Sequence, residues 1–208
     1  MCPAIRSCLR EARGYSAAEA ATILTAVSLL TAAAAPTVDD YVEDAKLVRA
    51  THDVRTLAVV LIRLFNDVAA ERTAEKGWGS YVLLVGGGAA PATGGADTAM
   101  WAASPDTSAV GLLDDHLVTN AAGYTRREPG ALFGWRGAYL QQQVQPDPWG
   151  HRYAVNISAM GETFAYTLVL SAGPNGIAEA PFELDALPTA GDDIVAVVSS
   201  SGTRPIAD

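Results

Sequence analysis

A single carboxylate, Glu19, lies in an otherwise uncharged apolar stretch near the amino terminus. The stretch runs from Tyr15 to Ala35 and has no Lys, Arg, Asp, Gly or Pro among its 21 residues. An unpaired charge in lipid costs about 2.5–3.5 kcal/mol on insertion scales. If a peptidase cuts after Gly14, the new α-ammonium of Tyr15 on one copy can pair with Glu19 on a neighbour. Because this pair exists only between copies, we expect Glu19 to favour a polymer over the solitary subunit.

The stretch that carries Glu19 has the length of a membrane-spanning helix. Twenty-one residues of helix extend about 31 Å, which matches the hydrocarbon thickness of a bilayer. Three arginines and one acid precede the stretch, and basic residues hold that end of a spanning helix in the cytoplasm. Two other interpretations stay open on these residues alone. One is a cleaved secretory signal with small residues at 33–35 as its cleavage site, and the other is an alanine-rich buried helix of a soluble domain.

The helical pattern continues beyond the apolar stretch. Between Tyr15 and Glu71 there is no glycine, and Pro36 is the only proline. From residue 38 to residue 68, apolar residues recur at mostly three- and four-residue steps, which is the stripe of an amphipathic helix. We therefore predict a helix of 57 residues, about 85 Å long, with a kink near Pro36. Its first half would be membrane or filament core, and its second half (36–71) would back a head domain.

Charged side chains cluster where that second half begins. Four acids occur within six residues: Asp39, Asp40, Glu43 and Asp44. We interpret them as a solvated face at a helix start, where carboxylates suit the helix dipole, with salt bridges to neighbouring subunits as the alternative. His52 has no companion at a metal-ligand spacing, so we expect it on the surface.

The sequence of the middle of the chain, residues 72–130, predicts a loop-rich region. Residues 78–88 contain a short strand or buried apolar run, and residues 86–97 form a flexible loop by composition. Residues 109–122 predict a short helix that packs Leu112, Leu113 and Leu117 inward. The neighbouring acids and His116 are then expected on the solvated face of that helix.

The last third of the chain predicts three strands after a defined turn. Asp147-Pro148-Trp149-Gly150 is a turn in which proline fixes φ, aspartate caps the backbone and glycine accepts a positive φ. Three strand-like runs follow, "HRYAVNI", "TFAYTLVLSAG" and "DDIVAVVSS". We expect Trp135 and Trp149 to anchor the core of this head.

Charge and composition exclude several classes of function. The net charge of −9 argues against a nucleic-acid partner, because phosphate binding needs clustered Lys and Arg. The only cysteines are Cys2 and Cys8, so the rest of the chain has no disulfide and no cysteine metal site. The glycines near residue 86 lack a phosphate-loop spacing, and no catalytic triad, paired acids or zinc spacing is present. We therefore expect a protein that is not an enzyme.

Two separate groups of residues resemble the type IV pilin family, and within it the major pseudopilin of type II secretion. The segment Gly14-Tyr15-Ser16-Ala17-Ala18-Glu19 resembles a prepilin processing site, and Pro36 is the twenty-second residue counted from Tyr15, where the family also carries proline. The head resembles the pseudopilin pattern in four runs in the same order: Trp135 to Leu140, Asp147 to Tyr153, Ser171 to Gly176, and Asp192-Asp193-Ile194.

This resemblance implies an α+β, pilin-like fold, in which a long amino-terminal helix packs against a small carboxy-terminal antiparallel sheet. The implied divisions are a leader (1–14), a transmembrane and assembly helix (15–35), an amphipathic helix (36–71) and a periplasmic head (72–208). Within the head, residues 72–130 are the variable loop region and residues 131–200 the β-sheet. A prepilin peptidase would remove the leader, and methylation of the new amino terminus would follow.

The implied function is a structural one. The subunit would wait as a single-pass protein in the bacterial inner membrane with its head in the periplasm, and would then polymerise into a pseudopilus for protein secretion. Its partners would be copies of itself, the peptidase, minor pseudopilins and the inner-membrane secretion platform. A type IV pilus subunit is the nearest alternative. An alternative of another class is a signal-anchored or exported domain that binds calcium or a sugar.

The resemblance also implies a calcium site in the loop between the last two strands. Calcium prefers several hard oxygen ligands from carboxylates, amides and main-chain carbonyls. The matching positions here are the carbonyl of Ala172 and the side chains of Asn175, Asp192 and Asp193, with asparagine where the family has aspartate. Substitute acids in the same loop are Glu179, Glu183 and Asp185.

Overall fold

The described part of the chain opens with the long helix that the sequence predicts. The computed structural model describes residues 15–68, 81–157, 165–183 and 191–201. Helix α1 spans Ala17–Asp67, and Pro36 lies inside it. The predicted end at Glu71 lies outside the described residues. The chain divides into two compact units between Asp44 and Ala45, so α1 contributes to both.

In the first unit, polar side chains of α1 bond to the helix's own backbone. Four hydroxyl groups donate to the carbonyl four residues earlier, at 2.7–2.9 Å: Thr22 to Ala18, Thr25 to Ala21, Ser28 to Leu24, and Thr31 to Val27. A hydroxyl that donates to a carbonyl of its own helix needs no hydrogen bond to water. It can therefore lie in the hydrocarbon of a bilayer. The large apolar side chains between these hydroxyls are exposed.

The second unit adds a sheet and several short elements to the last part of α1. In chain order they are β1 (Leu83–Val85), β2 (Ala92–Thr93), a 3₁₀ helix (Ala96–Ala102), β3 (Val110–Leu112), α2 (Leu113–Leu117), β4 (Ala154–Val155), β5 (Ala165–Ser171), β6 (Ile177–Ala178) and β7 (Ile194–Ser201). Five strands form one sheet in the order β3-β1-β4-β5-β7, and β2 pairs with β6. The three predicted strands of the last third are therefore present as β4, β5 and β7.

The five-stranded sheet is mixed rather than wholly antiparallel, although its carboxy-terminal strands β4, β5 and β7 pair antiparallel as predicted. β1 pairs with β3 in parallel, whereas the β1–β4, β4–β5 and β5–β7 pairs are antiparallel. A parallel pair needs a crossover of about a dozen residues or more, and the segment with β2 and the 3₁₀ helix provides it. The loop-rich region therefore supplies two strands of the sheet: β1, within the run 78–88 where a short strand or buried apolar run was predicted, and β3, which was not predicted.

One face of the sheet packs against α1. The buried stripe of the helix consists of Ala50, Val54, Leu57, Ala58, Leu61 and Leu64, and Val68 continues it directly after the helix ends. Most of these residues share one core cluster with Leu84, Val155 and Val169 from three neighbouring strands, and with Trp135. The apolar periodicity that predicted an amphipathic helix is confirmed from Val54 onwards, where the side chains lie in the core. The first part of the same predicted stripe is exposed instead, at Val38, Tyr41, Val42 and Val48.

The opposite face of the sheet carries a second core cluster. Trp101 of the 3₁₀ helix packs edge-on against Phe182, with ring centroids 4.9 Å apart, and its Nε1 donates to the carbonyl of Ala180 at 2.7 Å. Arg152 is buried and donates from Nη2 to the carbonyls of Trp101 and Ala103. Because both faces of the sheet are covered, every residue from 152 to 157 is buried rather than every second one.

The short helix predicted in residues 109–122 exists as α2, but its orientation differs from the prediction. Leu113 and Leu117 are fully buried, whereas Leu112 belongs to β3 and is exposed. His116 is buried instead of solvated, and its Nδ1 lies 2.7 Å from the hydroxyl of Tyr124. The aromatic ring of Tyr81 meets its imidazole edge-on.

Candidate functional site

The proposed assembly residues occupy the start of α1. Tyr15 is exposed, and Glu19 lies in the first turn. The backbone N–H of Ser16 donates to Glu19 Oε2 at 2.8 Å, and the N–H of Glu19 donates to Ser16 Oγ at 3.2 Å. This reciprocal pair is a capping box that closes the helix start. Gly14, the other residue of the predicted processing site, lies outside the described residues, and Pro36 lies within α1.

Among the described residues, α1 is the one helix that meets the length and composition of a membrane span. The apolar window that qualifies it lies near the amino terminus, and none of that window is buried within the protein. The apolar surface that this part of the helix exposes is much larger than the scattered single residues usual on a soluble surface.

The Trp135 to Leu140 run fastens the head to the end of α1. Asp67 is buried, and its Oδ1 lies 2.8 Å from Nε of Arg136. The hydroxyl of Tyr139 donates to Asp67 Oδ2 at 3.0 Å, and the backbone N–H of Gly134 donates to the Asp67 carbonyl at 2.7 Å. Trp135 is buried in the core as predicted. This run therefore has a structural role, which is to attach the head to the last turn of the helix.

The Asp147 turn forms as predicted and connects to the acidic loop. The N–H groups of Trp149 and His151 donate to Asp147 Oδ1, and Gly150 has a φ of +95°. Asp147 is buried, and its Oδ2 accepts the hydroxyl of Ser171 at 2.7 Å, at the end of β5. Trp149 is half-buried and does not belong to either core cluster, unlike the prediction for it.

The acidic loop comprises residues 172–193, of which 184–190 lie outside the described residues. It opens with a tight turn at Gly173 and Gly176, both with positive φ. A side chain at Gly173 would collide with the carbonyl of Asp192, and one at Gly176 would collide with the imidazole of His151. The two glycines therefore allow the turn to lie directly against the 191–193 segment and against the Asp147 turn.

Three of the four sequence-predicted residues, Asn175, Asp192 and Asp193, take part in contacts across this loop, together with one substitute acid. The N–H of Asn175 donates to Asp192 Oδ2 at 3.0 Å, and the N–H of Asp192 donates to Glu179 Oε2 at 3.0 Å. Asp193 Oδ2 accepts the N–H groups of Glu179 and Ala180 at 2.8 and 2.6 Å. Ala172 is buried at the end of β5. Of the three substitutes considered, Glu179 joins the cluster, Glu183 is exposed, and Asp185 lies outside the described residues.

Two carboxylate oxygens in this loop are buried without a hydrogen-bond partner: Asp192 Oδ1 and Asp193 Oδ1. Burial raises the pKa of Asp193, two backbone N–H groups oppose that rise, and the charges of Glu179 and Asp192 add to it. An unpaired buried acceptor costs about 1–3 kcal/mol. A hard cation would satisfy these oxygens, so the donor chemistry fits calcium.

Other features limit what the loop offers to a cation. Asn175 Oδ1 already accepts the N–H of Ile177 at 2.6 Å. Within the described part of the chain, no three or more His, Cys, Asp or Glu side chains are grouped so that they could hold a metal ion. A calcium ion here would need the two aspartates together with main-chain carbonyls, an amide or water.

A separate cleft lies between the second half of α1 and residues 139–145. Its volume is about 550 Å³, and Arg49, Asp53 and several glutamines from residue 141 onwards line it. The hydroxyl of Tyr153 donates to Asp53 Oδ2 at 3.0 Å on its wall. The cleft is open, and both polar and apolar side chains line it.

Sequence reasoning did not identify Asp147, Ser171 and His151 as supports of the acidic loop. The signal for Asp147 was available, because an aspartate that begins an Asp-Pro-x-Gly turn has one carboxylate oxygen free to reach a neighbouring strand. The contact of Gly176 with His151 depends on packing between distant segments and has no local signal.

No protein-family model, characterised protein or solved structure matches this chain. The function proposed below therefore depends on the residues and contacts described above.

Proposed function

We propose that the chain is a structural subunit that is anchored in a membrane by α1 and polymerises through it, as a major pseudopilin does in type II secretion. The observation that carries this proposal is the first part of α1, an exposed apolar helix whose hydroxyls bond within the helix. A single acid, Glu19, lies in its first turn. In a bilayer such a segment anchors the chain, and in a bundle of copies its small residues allow close helix packing.

The second part of α1 gives the proposed subunit its architecture. The buried stripe from Ala50 to Val68 holds the sheet against the helix. The Asp67 network and the Asp53–Tyr153 hydrogen bond attach the head at two further points. One helix thus serves both as anchor and as the support of a folded head, which suits a subunit whose heads cover a filament of helices.

Calcium is proposed as a stabiliser of the acidic loop rather than as a catalytic group. Asp192 and Asp193 would hold it with the oxygens that lack partners, and Glu179 is the third acid nearby. When bound, the ion would supply positive charge between carboxylates that otherwise repel one another. The loop follows β5 and precedes β7. A well-ordered loop conformation therefore supports the pairing of these two strands, which is the longest among the described strands.

The amino terminus of the protein purified from membranes tests the proposal. We expect intact mass and terminal sequencing to show a chain that begins at Tyr15 with a methylated amine, because prepilin peptidases cut between these residue types. A Gly14→Leu variant should keep its leader, and an Ala17→Ser variant should be processed normally. A chain that begins near residue 35 contradicts the proposal, since it indicates an ordinary signal peptide.

A chain that begins near residue 35 would favour an exported binding domain. The cleft lined by Arg49, Asp53 and the glutamines is the place where such a domain would hold a small polar ligand. A type IV pilus subunit would give the same terminus as a pseudopilin and would differ in forming long surface fibres.

A further inference from the structure

Two large apolar side chains are exposed side by side in the head, at Leu132 and Phe133. They are 79% and 49% exposed, respectively. They belong to residues 126–136, here called the arginine loop, which also carries Arg126, Arg127 and Arg136 against one acid. In a chain of net charge −9, this combination of arginine and exposed apolar surface is unusual. Paired apolar residues with a charged rim are the composition of a protein interface.

Hydrogen bonds and a cation–π contact join the two ends of the arginine loop. The N–H of Arg127 donates to the carbonyl of Trp135 at 3.0 Å, and the N–H of Trp135 donates to the carbonyl of Thr125 at 2.8 Å. Arg127 Nε donates to the carbonyl of Ala131 at 2.6 Å. The guanidinium of Arg126 lies 5.2 Å from the centroid of the Trp135 ring. A surface that is already ordered loses little conformational entropy on binding.

The first unit of the same chain carries the complementary surface. Residues 37–44 of α1, here called the acidic turn, contain four acids and no basic residue. Tyr41 and Val42 lie between these acids and Val38 lies directly before them; all three are exposed, with Tyr41 at 74%. The acidic turn therefore pairs apolar side chains with negative charge, whereas the arginine loop pairs them with positive charge.

We propose that the arginine loop of one copy binds the acidic turn of a second copy. This inference rests on the proposed function, because it names the contact by which the heads and helices of neighbouring subunits engage. Leu132 and Phe133 would cover Tyr41 and its apolar neighbours, while Arg126 and Arg127 face the carboxylates. Copies that repel one another through their net charge approach each other most favourably where local charges are opposite.

The contact joins two different surfaces, so it is heterologous. Such a contact leaves an unused arginine loop at one end and an unused acidic turn at the other, and it continues as a ring or a helical filament instead of stopping at a dimer. The proposed polymer thus follows from the placement of the two surfaces on one chain.

Thiol crosslinking of the full-length chain in cells tests this contact. In a background with Cys2→Ser and Cys8→Ser, we introduce Tyr41→Cys and Phe133→Cys together and add a short bis-maleimide. The expected result is a ladder of multimers, whereas either single variant gives no species beyond a dimer. An Arg55→Cys and Phe133→Cys pair is the matched control, because Arg55 is an exposed residue of α1 outside the acidic turn.

Charge reversal provides the second measurement. Arg126→Glu with Arg127→Glu should abolish assembly, and adding Asp39→Lys and Asp40→Lys should restore it, with circular dichroism confirming that each variant folds. Arg55→Glu is the control and should assemble normally. Normal assembly of the Arg126→Glu and Arg127→Glu variant would overturn the inference. Filaments of the Tyr41→Cys and Phe133→Cys chain that give no crosslinked ladder would also overturn it.

Failure of the proposed function is distinguishable from failure of this contact. If the unaltered chain forms no filaments, the polymer proposal fails. The contact is then decided by coexpressing the Tyr41→Cys chain with the Phe133→Cys chain: a crosslinked mixed dimer in membranes supports it, and absence of that dimer contradicts it.

Discussion

Two buried polar side chains of the head, Arg152 and Asn156, are held by hydrogen bonds to backbone groups of distant segments. Asn156 is fully buried, donates from Nδ2 to the carbonyls of Tyr166 and Phe182, and accepts the N–H of Leu168 on Oδ1. It thereby satisfies the backbone beside the irregularity between Thr167 and Leu168 in the β5–β7 pairing. Such a residue is costly to replace, because removing one amide leaves three backbone groups without a partner.

His116 makes the stability of the head depend on pH. Burial lowers its pKa to about 4, whereas an unfolded histidine has a pKa of about 6.5. The unfolded state therefore binds a proton first as the pH falls, and the free energy of unfolding decreases between these two values. We expect a loss of about 2–3 kcal/mol from this residue between about pH 7 and about pH 4.5.

Denaturant unfolding of the detergent-solubilised chain, followed by near-ultraviolet circular dichroism, measures this loss. His116→Gln should remove that part of the pH dependence, since glutamine does not titrate. His52→Gln is the matched control, because His52 is an exposed residue of α1. Equal pH slopes for the unaltered chain and the His116→Gln variant would show that the imidazole is not responsible.

At the scale of elements, the acidic loop is the segment whose stability we expect to depend on a cation. It connects β5 to β7 through β6, and its contacts are mostly hydrogen bonds from backbone N–H groups to carboxylates. Three acids lie close together there, so their mutual repulsion opposes the folded loop. Neutralising that charge stabilises the loop.

Calcium should therefore raise the melting temperature of the chain. A ligand at 100 times its Kd stabilises the folded state by about 2.7 kcal/mol, and Asp192→Asn with Asp193→Asn should remove most of the calcium-dependent shift. Differential scanning fluorimetry measures it, with magnesium as the ion control and Glu128→Gln, an exposed acid outside the loop, as the variant control. No shift at millimolar calcium would contradict the proposed site.

At the scale of the whole molecule, Glu19 has two separable roles. Within one chain it completes the capping box with Ser16, and between chains it is proposed to pair with the amino terminus of a neighbour. Glutamine can replace glutamate in a capping box, but it carries no charge. The variant Glu19→Gln thus removes the proposed ion pair and keeps the cap.

We expect Glu19→Gln and Glu19→Ala to insert into the membrane and to be processed, but to form no filaments. Membrane fractionation measures insertion, and sedimentation of sheared filaments measures assembly. Ser16→Ala, which removes the hydroxyl of the cap and leaves the charge, is the control and should still assemble. Filaments at normal levels from Glu19→Gln would show that the cap, not the charge, is what assembly needs.

Local chemistry determined several parts of this protein. The apolar spacing of residues 38–68 predicted the buried face of α1 correctly for its second half. The runs "TFAYTLVLSAG" and "DDIVAVVSS" predicted β5 and β7, and Asp147-Pro148-Trp149-Gly150 predicted its turn. These features depend on residues a few positions apart, so the chain carries their signal in a short window.

Tertiary structure alone decided the rest. The parallel pairing of β1 with β3, the burial of His116 and the approach of Glu179 to Asp192 join segments that a local pattern cannot relate. The indole N–H of Trp101 donates to the carbonyl of Ala180, which lies 79 residues later in the sequence. Distant segments pack together because both faces of the same sheet must be covered. That requirement involves the whole head, so no single stretch of the sequence contains the information.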